Sequence, residues 1–284
     1  MFERLSRSWA LVKASAAVLK QDRQLLVFPL ISALATVVLV AAFALPVFGL
    51  GWLDGLTHGQ GNGAPAAAYG LGFLFYVSLY FIIFFFNAAL IGAALIRFDG
   101  GSPTVGDGLR IANSKFGQIL GYAVIAATVG MVLRMIQERV GFIGRLIVGL
   151  LGVGWTLATF LVVPVLVSRD VGPVDAVKES AGILKKTWGE NVVGQSGIGV
   201  VFTVLHFVVV IAGVALVMAA LSSGSGLAFA LALLLTLAAV ALTALVQTAL
   251  TGIYAAALYR YAATGQIGQG FDGQALQQAF APKR

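Results

Sequence analysis

Cysteine is absent, histidine is limited to His58 and His206, and charged residues make up only 10% of the 284 positions. The missing thiols exclude disulfides, thiolate metal ligands and cysteine nucleophiles, and leave the redox compartment unspecified. Two histidines with no carboxylate or second histidine at ligand spacing do not make a metal site. A soluble domain carries roughly 25% charge. A chain with 60% hydrophobic residues and this little charge is therefore expected to be solvated by lipid. Acidic residues are the scarcer kind, 11 against 18 Lys and Arg, for a net charge of +7. The basic residues fall between apolar stretches, so they read as topology determinants facing an anionic leaflet and not as a nucleic-acid surface. No zinc, P-loop, nucleophile-elbow or dinucleotide pattern occurs. Enzyme activity, a cofactor and a metal are accordingly not expected.

What is present is a series of apolar runs, each about long enough to cross a bilayer. Residues 25–50 form the first, with Pro29 in its opening turns, where a missing N–H does least damage, and Pro46 near its far end. A glycine-rich loop over 51–68 carries Asp54 and His58. The second run, 69–96, is interrupted only by Asn87. The third, 116–133, begins with Gly117 and Gly121, a GxxxG spacing compatible with close helix contact. A tight charged connection follows over 134–145, and the fourth run occupies 146–168. Residues 191–259 carry no Asp, Glu, Lys or Arg and are nearly three bilayers long at about 1.5 Å per residue. That segment must double back, and residues 222–226 supply the turn, giving runs at 192–221 and 227–259.

Three amphipathic helices are expected between the runs. Phe2, Leu5, Trp9, Val12, Ala16 and Leu19 line one face of the first. Val105, Leu109, Ala112 and Phe116 line the second, with Ser102 as N-cap and Pro103 as first helical residue. Val174, Val177, Ala181, Leu184 and Trp188 line the third, which begins at Pro173. Each should lie in the membrane interface with its apolar side down, anchored by Trp9, Phe116 and Trp188 beside Lys13, Lys20, Lys115, Lys185 and Lys186. The last two helices share an aromatic-Gly-Gln/Glu ending, Phe116-Gly117-Gln118 and Trp188-Gly189-Glu190. These boundaries suggest three pseudo-repeats, 1–96, 97–167 and 168–262, within a single membrane domain. Residues 263–284 form a tail expected to be poorly ordered. Fifteen of the 18 basic residues lie on one side of this scheme, against Arg134, Arg139 and Arg145 on the other. The positive-inside rule then puts both termini in the cytoplasm.

The expected fold is all-α: a polytopic membrane protein with six transmembrane helices in three hairpins, each preceded by a cytoplasmic interfacial helix. Ser8-Trp9 with Lys13, Phe28-Pro29-Leu30, the Pro164-centred run over 162–167, Gly172-Pro173 with Ala176, Lys178 and Ser180, and Lys186-Thr187-Trp188-Gly189 resemble an uncharacterised domain-of-unknown-function family of prokaryotic multi-spanning membrane proteins. More distantly, the layout is similar to the membrane domain fused to some glycerophosphodiester phosphodiesterases. The resemblance covers residues 1–262 and is most specific over 155–190. It implies the membrane architecture and a prokaryotic inner membrane, and it assigns no catalytic residue.

Two functions follow as expectations. The basic and aromatic belt favours a non-enzymatic component that interacts with membrane lipids, and with other membrane proteins or a second copy of itself. The alternative is a channel or carrier built on Asn87, His206 and Gln247. Counted from the cytoplasmic ends, these lie about 15, 21 and 18 Å deep at 1.5 Å per residue, near one level where polar side chains face the bundle interior.

Overall fold

The computed structural model describes residues 2–45, 64–186 and 188–268, with side chains described over 12–45, 69–185 and 198–268. The described residues are mostly helical, and no strand occurs among them. The helices are α1 (Phe2–Gln21), a 3-10 turn (Arg23–Leu26), α2 (Val27–Ala44), α3 (Ala64–Phe98), α4 (Val105–Ser114), α5 (Phe116–Arg139), α6 (Phe142–Ala158), α7 (Val162–Ser168), α8 (Pro173–Lys186), α9 (Trp188–Ser222) and α10 (Gly226–Thr264). Among the described residues, six segments are long and apolar enough to cross a membrane. They expose large apolar side chains such as Val37, Leu150, Phe207 and Leu234, which water would not tolerate on this scale. Continuous helix also satisfies the backbone where no water can. The chain fits a polytopic helical membrane protein. Pro46, Asp54, His58 and the tail beyond 268 lie outside the described residues, as do the side chains of Trp9, Lys186, Trp188 and Gly189.

The chain divides into two compact units, neither of which coincides with the pseudo-repeats. The first joins residues 1–26, 95–102 and 187–284. In it α9 and α10 pack along their length about a turn in which Gly224 has φ +67° and Ser225 caps α10 by accepting the Ala228 N–H. A Cβ on Gly213 would lie 2.2 Å from Thr236 Cγ2, so the two helices approach closely there. The amphipathic α1 packs on both. Val12, Ala14, Ser15, Val18 and Leu19 are buried, so this part of its apolar face is covered by protein and not by lipid, a correction to the interfacial placement. The helix ends are clasped by charge. Arg97 donates to Gln21 Oε1 at 2.9 Å and lies 3.7 Å from Asp22, and Arg260 pairs with Asp99.

The second unit joins residues 27–94 and 103–186. Aromatic contacts tie α3 to its neighbours: Phe43 on Phe75 at 5.3 Å, Phe81 on Phe116 at 4.8 Å and Phe84 stacked on Tyr122 at 4.5 Å. Such pairs add roughly 0.5–1.5 kcal/mol each beyond area burial. The short helix α4 lies directly on α3, because Gly108 has no side chain to hold it off. A Cβ there would sit 2.5 Å from Phe28 Cζ and 2.6 Å from the Ala89 carbonyl oxygen.

The cap of α4 differs from the expected Ser102-Pro103 pair. Thr104 is the N-cap, and it forms a reciprocal capping box with Asp107, so the buried Pro103 precedes the helix. The Thr104 hydroxyl donates to the Asp107 carboxylate, as does the Thr104 backbone N–H, and Arg110 adds its charge. These hold the carboxyl below its usual 3.8. A carboxyl depressed on folding stabilises above its unfolded pKa and loses that contribution as pH falls through the folded value. Asp107→Asn should therefore lower the thermal midpoint at pH 6, and the gap to wild type should narrow as pH falls below the usual 3.8 and through the depressed folded value. A gap that stays unchanged across the acid titration would show the charge is irrelevant.

Three further boundaries move. The connection over 134–145 shrinks to Val140 and Gly141, since α5 runs on to Arg139 and α6 starts at Phe142. Phe116 and Trp188 open the spans α5 and α9 and do not end the amphipathic helices. The fourth span is not continuous: α6 stops at Ala158 and α7 restarts at Val162.

Candidate functional site

The interruption of the fourth span organises the second unit. Pro164 has no N–H and its ring would strike the Phe160 carbonyl in an unbroken helix. Restarting at Val162 places Pro164 third in α7, where the N–H would have no intrahelical partner anyway. The break leaves other groups unpaired: the Leu161 N–H and the Ala158 carbonyl lose their i,i+4 partners. Ser180 of α8 supplies both. Its Oγ accepts the Leu161 N–H at 3.1 Å and donates to the Ala158 carbonyl at 2.6 Å. Ser180 is 0% exposed. Thr159 folds its hydroxyl back onto the Trp155 carbonyl at 2.8 Å and lies against the Tyr122 hydroxyl.

Among its buried residues, the face of α8 that makes this contact shares only Leu184 with the expected stripe. Ala176, Ser180 and Leu184 are buried, while Val174 is 54% exposed. Close approach selects small residues here, where a hydrophobicity count selects large ones. Pro173 does start α8 and packs against Gly121, whose Cβ would lie 2.9 Å from its Cγ. Gly117, the other half of the GxxxG pair, has nothing within 4 Å of such a Cβ. Only Gly121 serves contact. Pro29, third in α2 after the 3-10 turn, is buried as expected near a helix start.

Beside the break, α3, α5 and α6 border an open cleft of 660 Å³. Tyr80, Gly130, Arg134, Gln137, Gly149 and Gly152 line much of it, and Trp155, Thr156 and Leu157 close the end next to the break. The glycines make the space. A Cβ on Gly149 meets nothing within 4 Å, and one on Gly152 reaches only Leu133 at 4.0 Å. Arg134 stands at the other end, donating to the Tyr76 hydroxyl at 2.9 Å and to Glu138 at 3.1 Å.

Asn87 belongs to the second unit, and His206 and Gln247 to the first. All three are half-buried. The His206 Nδ1 lies 2.8 Å from the Phe202 carbonyl one turn back on α9, and no hydrogen bond joins it to Gln247 among the described residues. Of the proposed anchors, Lys20 and Lys185 are exposed and Phe116 is 46% exposed. Lys115 is not a free cation. With its side chain only 17% exposed, it donates to the Arg169 carbonyl at 3.0 Å and to Asp170 at 3.2 Å. Among the described residues no three His, Cys, Asp or Glu side chains gather as a metal site.

Ser180 enters the sequence reading only through the family resemblance, although a signal for it exists. Val177-Lys178-Glu179-Ser180-Ala181 and Leu184-Lys185 repeat Val12-Lys13-Ala14-Ser15-Ala16 and Leu19-Lys20 at identical spacing. Ser15 and Ser180 are thus equivalent, and both are 0% exposed. Aligning Trp188-Gly189 on Phe116-Gly117 brings Gly108 to the same position. One helical position is therefore used three times for close packing.

Residues 66–271 match the model of a family described as of unknown function, DUF6159. The matched segment contains the stitched break, the cleft and the stretch 155–190. Trp9, Lys13 and Pro29 precede it. No curated protein matches the chain.

Proposed function

The chain belongs to DUF6159, a family of unknown function, and from that premise we propose that it is a non-enzymatic membrane component that holds membrane lipid in the cleft of its second unit. One observation carries the reading: an open space of 660 Å³ with glycine-bared walls, polar at the Arg134 and Gln137 end and apolar along Leu133, Val148 and Val153. Ligand pockets run from about 300 to 1,000 Å³, and a space open to hydrocarbon is filled by acyl chain. The basic-residue distribution supports an inner-membrane protein with cytoplasmic termini.

The test is to fill the space. Gly149→Leu projects a side chain into open volume, and leucine favours helix over glycine by up to about 1 kcal/mol, so the fold should be kept. Extracted in mild detergent and weighed by native mass spectrometry, the wild type should carry phospholipid, and the variant should retain it at least several-fold less. Equal adducts on the two would refute the reading.

A further inference from the structure

Resting on the lipid reading of the cleft, we propose that its occupant is a phospholipid with an anionic headgroup, gripped by the Arg134 guanidinium while its acyl chain lies along Gly149 and Gly152. Arg134 is a cleft-lining residue. The Tyr76 hydroxyl and Glu138 each take one of its five N–H groups and fix the plane of the fork, which leaves further donors free for a phosphate. Such pre-organisation is what makes arginine suited to bidentate phosphate binding.

The charge balance around the cleft points the same way. Glu138 supplies one negative charge, but Arg134, Arg139 and Arg145 occupy the same short stretch of sequence. The surplus sits on the side of the membrane where the positive-inside rule leaves few cations. Arg139 ends α5 and Arg145 lies in the first turn of α6, both exposed, so the end of the helix pair that carries Arg134 has a net positive charge. Below Arg134 the lining turns apolar within one turn, at Leu133 and Gly130, and continues to Ala126. That is about 12 Å along α5, most of one leaflet's acyl region. A zwitterionic headgroup would bring its own cation against the three arginines and forfeit this complementarity.

The experiment uses the full chain in detergent, titrated with phosphatidylglycerol, with phosphatidylcholine of equal chain length, and with inorganic phosphate alone, reading the unfolding temperature. Wild type should bind phosphatidylglycerol about tenfold more tightly than phosphatidylcholine, whose headgroup cation the arginines repel, and phosphate alone should give no shift. Arg134→Gln should abolish the preference, and Glu138→Gln, which removes the competing carboxylate, should increase it. Equal binding of the two lipids by wild type, a preference that survives in Arg134→Gln, or an equal shift with phosphate alone would each overturn the proposal. Binding of neither lipid would instead remove the lipid reading on which it rests.

Discussion

Gly108→Ala should be among the most damaging single-methyl changes in the molecule, and Gly117→Ala, nine residues away, should be harmless. The added carbon at 108 would sit 2.5 Å from Phe28 Cζ and 2.6 Å from the Ala89 carbonyl oxygen. The ring could rotate, but the carbonyl belongs to the backbone of α3 and is held in its ladder. Relief therefore requires α4 to lift off α3. Overpacking costs about 1–3 kcal/mol where side chains can adjust, and this site should lie at the upper end. At Gly117 the same carbon meets nothing within 4 Å, and alanine gains up to about 1 kcal/mol in helix propensity. Unfolding in mixed micelles should place the two variants on opposite sides of wild type or nearly so. A Gly108→Ala protein as stable as wild type would show that α4 is not seated on α3.

Ser180→Ala carries the second large effect. It strips the Leu161 N–H and the Ala158 carbonyl of their partner together, in a site with no exposure. An unsatisfied buried polar group costs about 1–3 kcal/mol, and in hydrocarbon the penalty grows because water cannot substitute. The loss should depend on Pro164. Pro164→Ala returns an N–H and removes the ring from the Phe160 carbonyl, so residues 158–162 can resume i,i+4 bonding and no longer need the serine. The double-mutant cycle should then show strong coupling, with Ser180→Ala costing much less in the Pro164→Ala background. Additive effects would mean that proline and serine are not two halves of one device.

Much of this fold was legible because hydropathy is a long-range average. Six runs of lipid-compatible length survive any error at a single residue, as does the turn at 222–226. The break in the fourth span was not legible, because Phe160 and Leu161 are as apolar as their flanks and the group that stitches the break lies on another helix. Hydrophobicity also misread the packing faces. Val174 scores as a contact and is exposed, while Ala176 and Ser180, being small, are what a closely seated helix buries. The cleft is invisible to such reading for a related reason: Gly149 and Gly152 matter for the space they leave. Lys115 looked like a lipid anchor, and its partner Asp170 is 55 residues further on. Asn87 lies in one unit and His206 and Gln247 in the other, and equal depth on three spans does not itself say which spans pack together.

The most direct measurement is photocrosslinking with a phospholipid carrying a photoactivatable group in its acyl chain, followed by peptide mapping. Adducts should concentrate on α5 and α6 around Gly130, Gly149, Gly152 and Trp155, and should fall several-fold in Gly149→Leu. Adducts spread evenly over the lipid-facing surfaces of all six spans, unchanged by that substitution, would contradict a lipid-holding cleft.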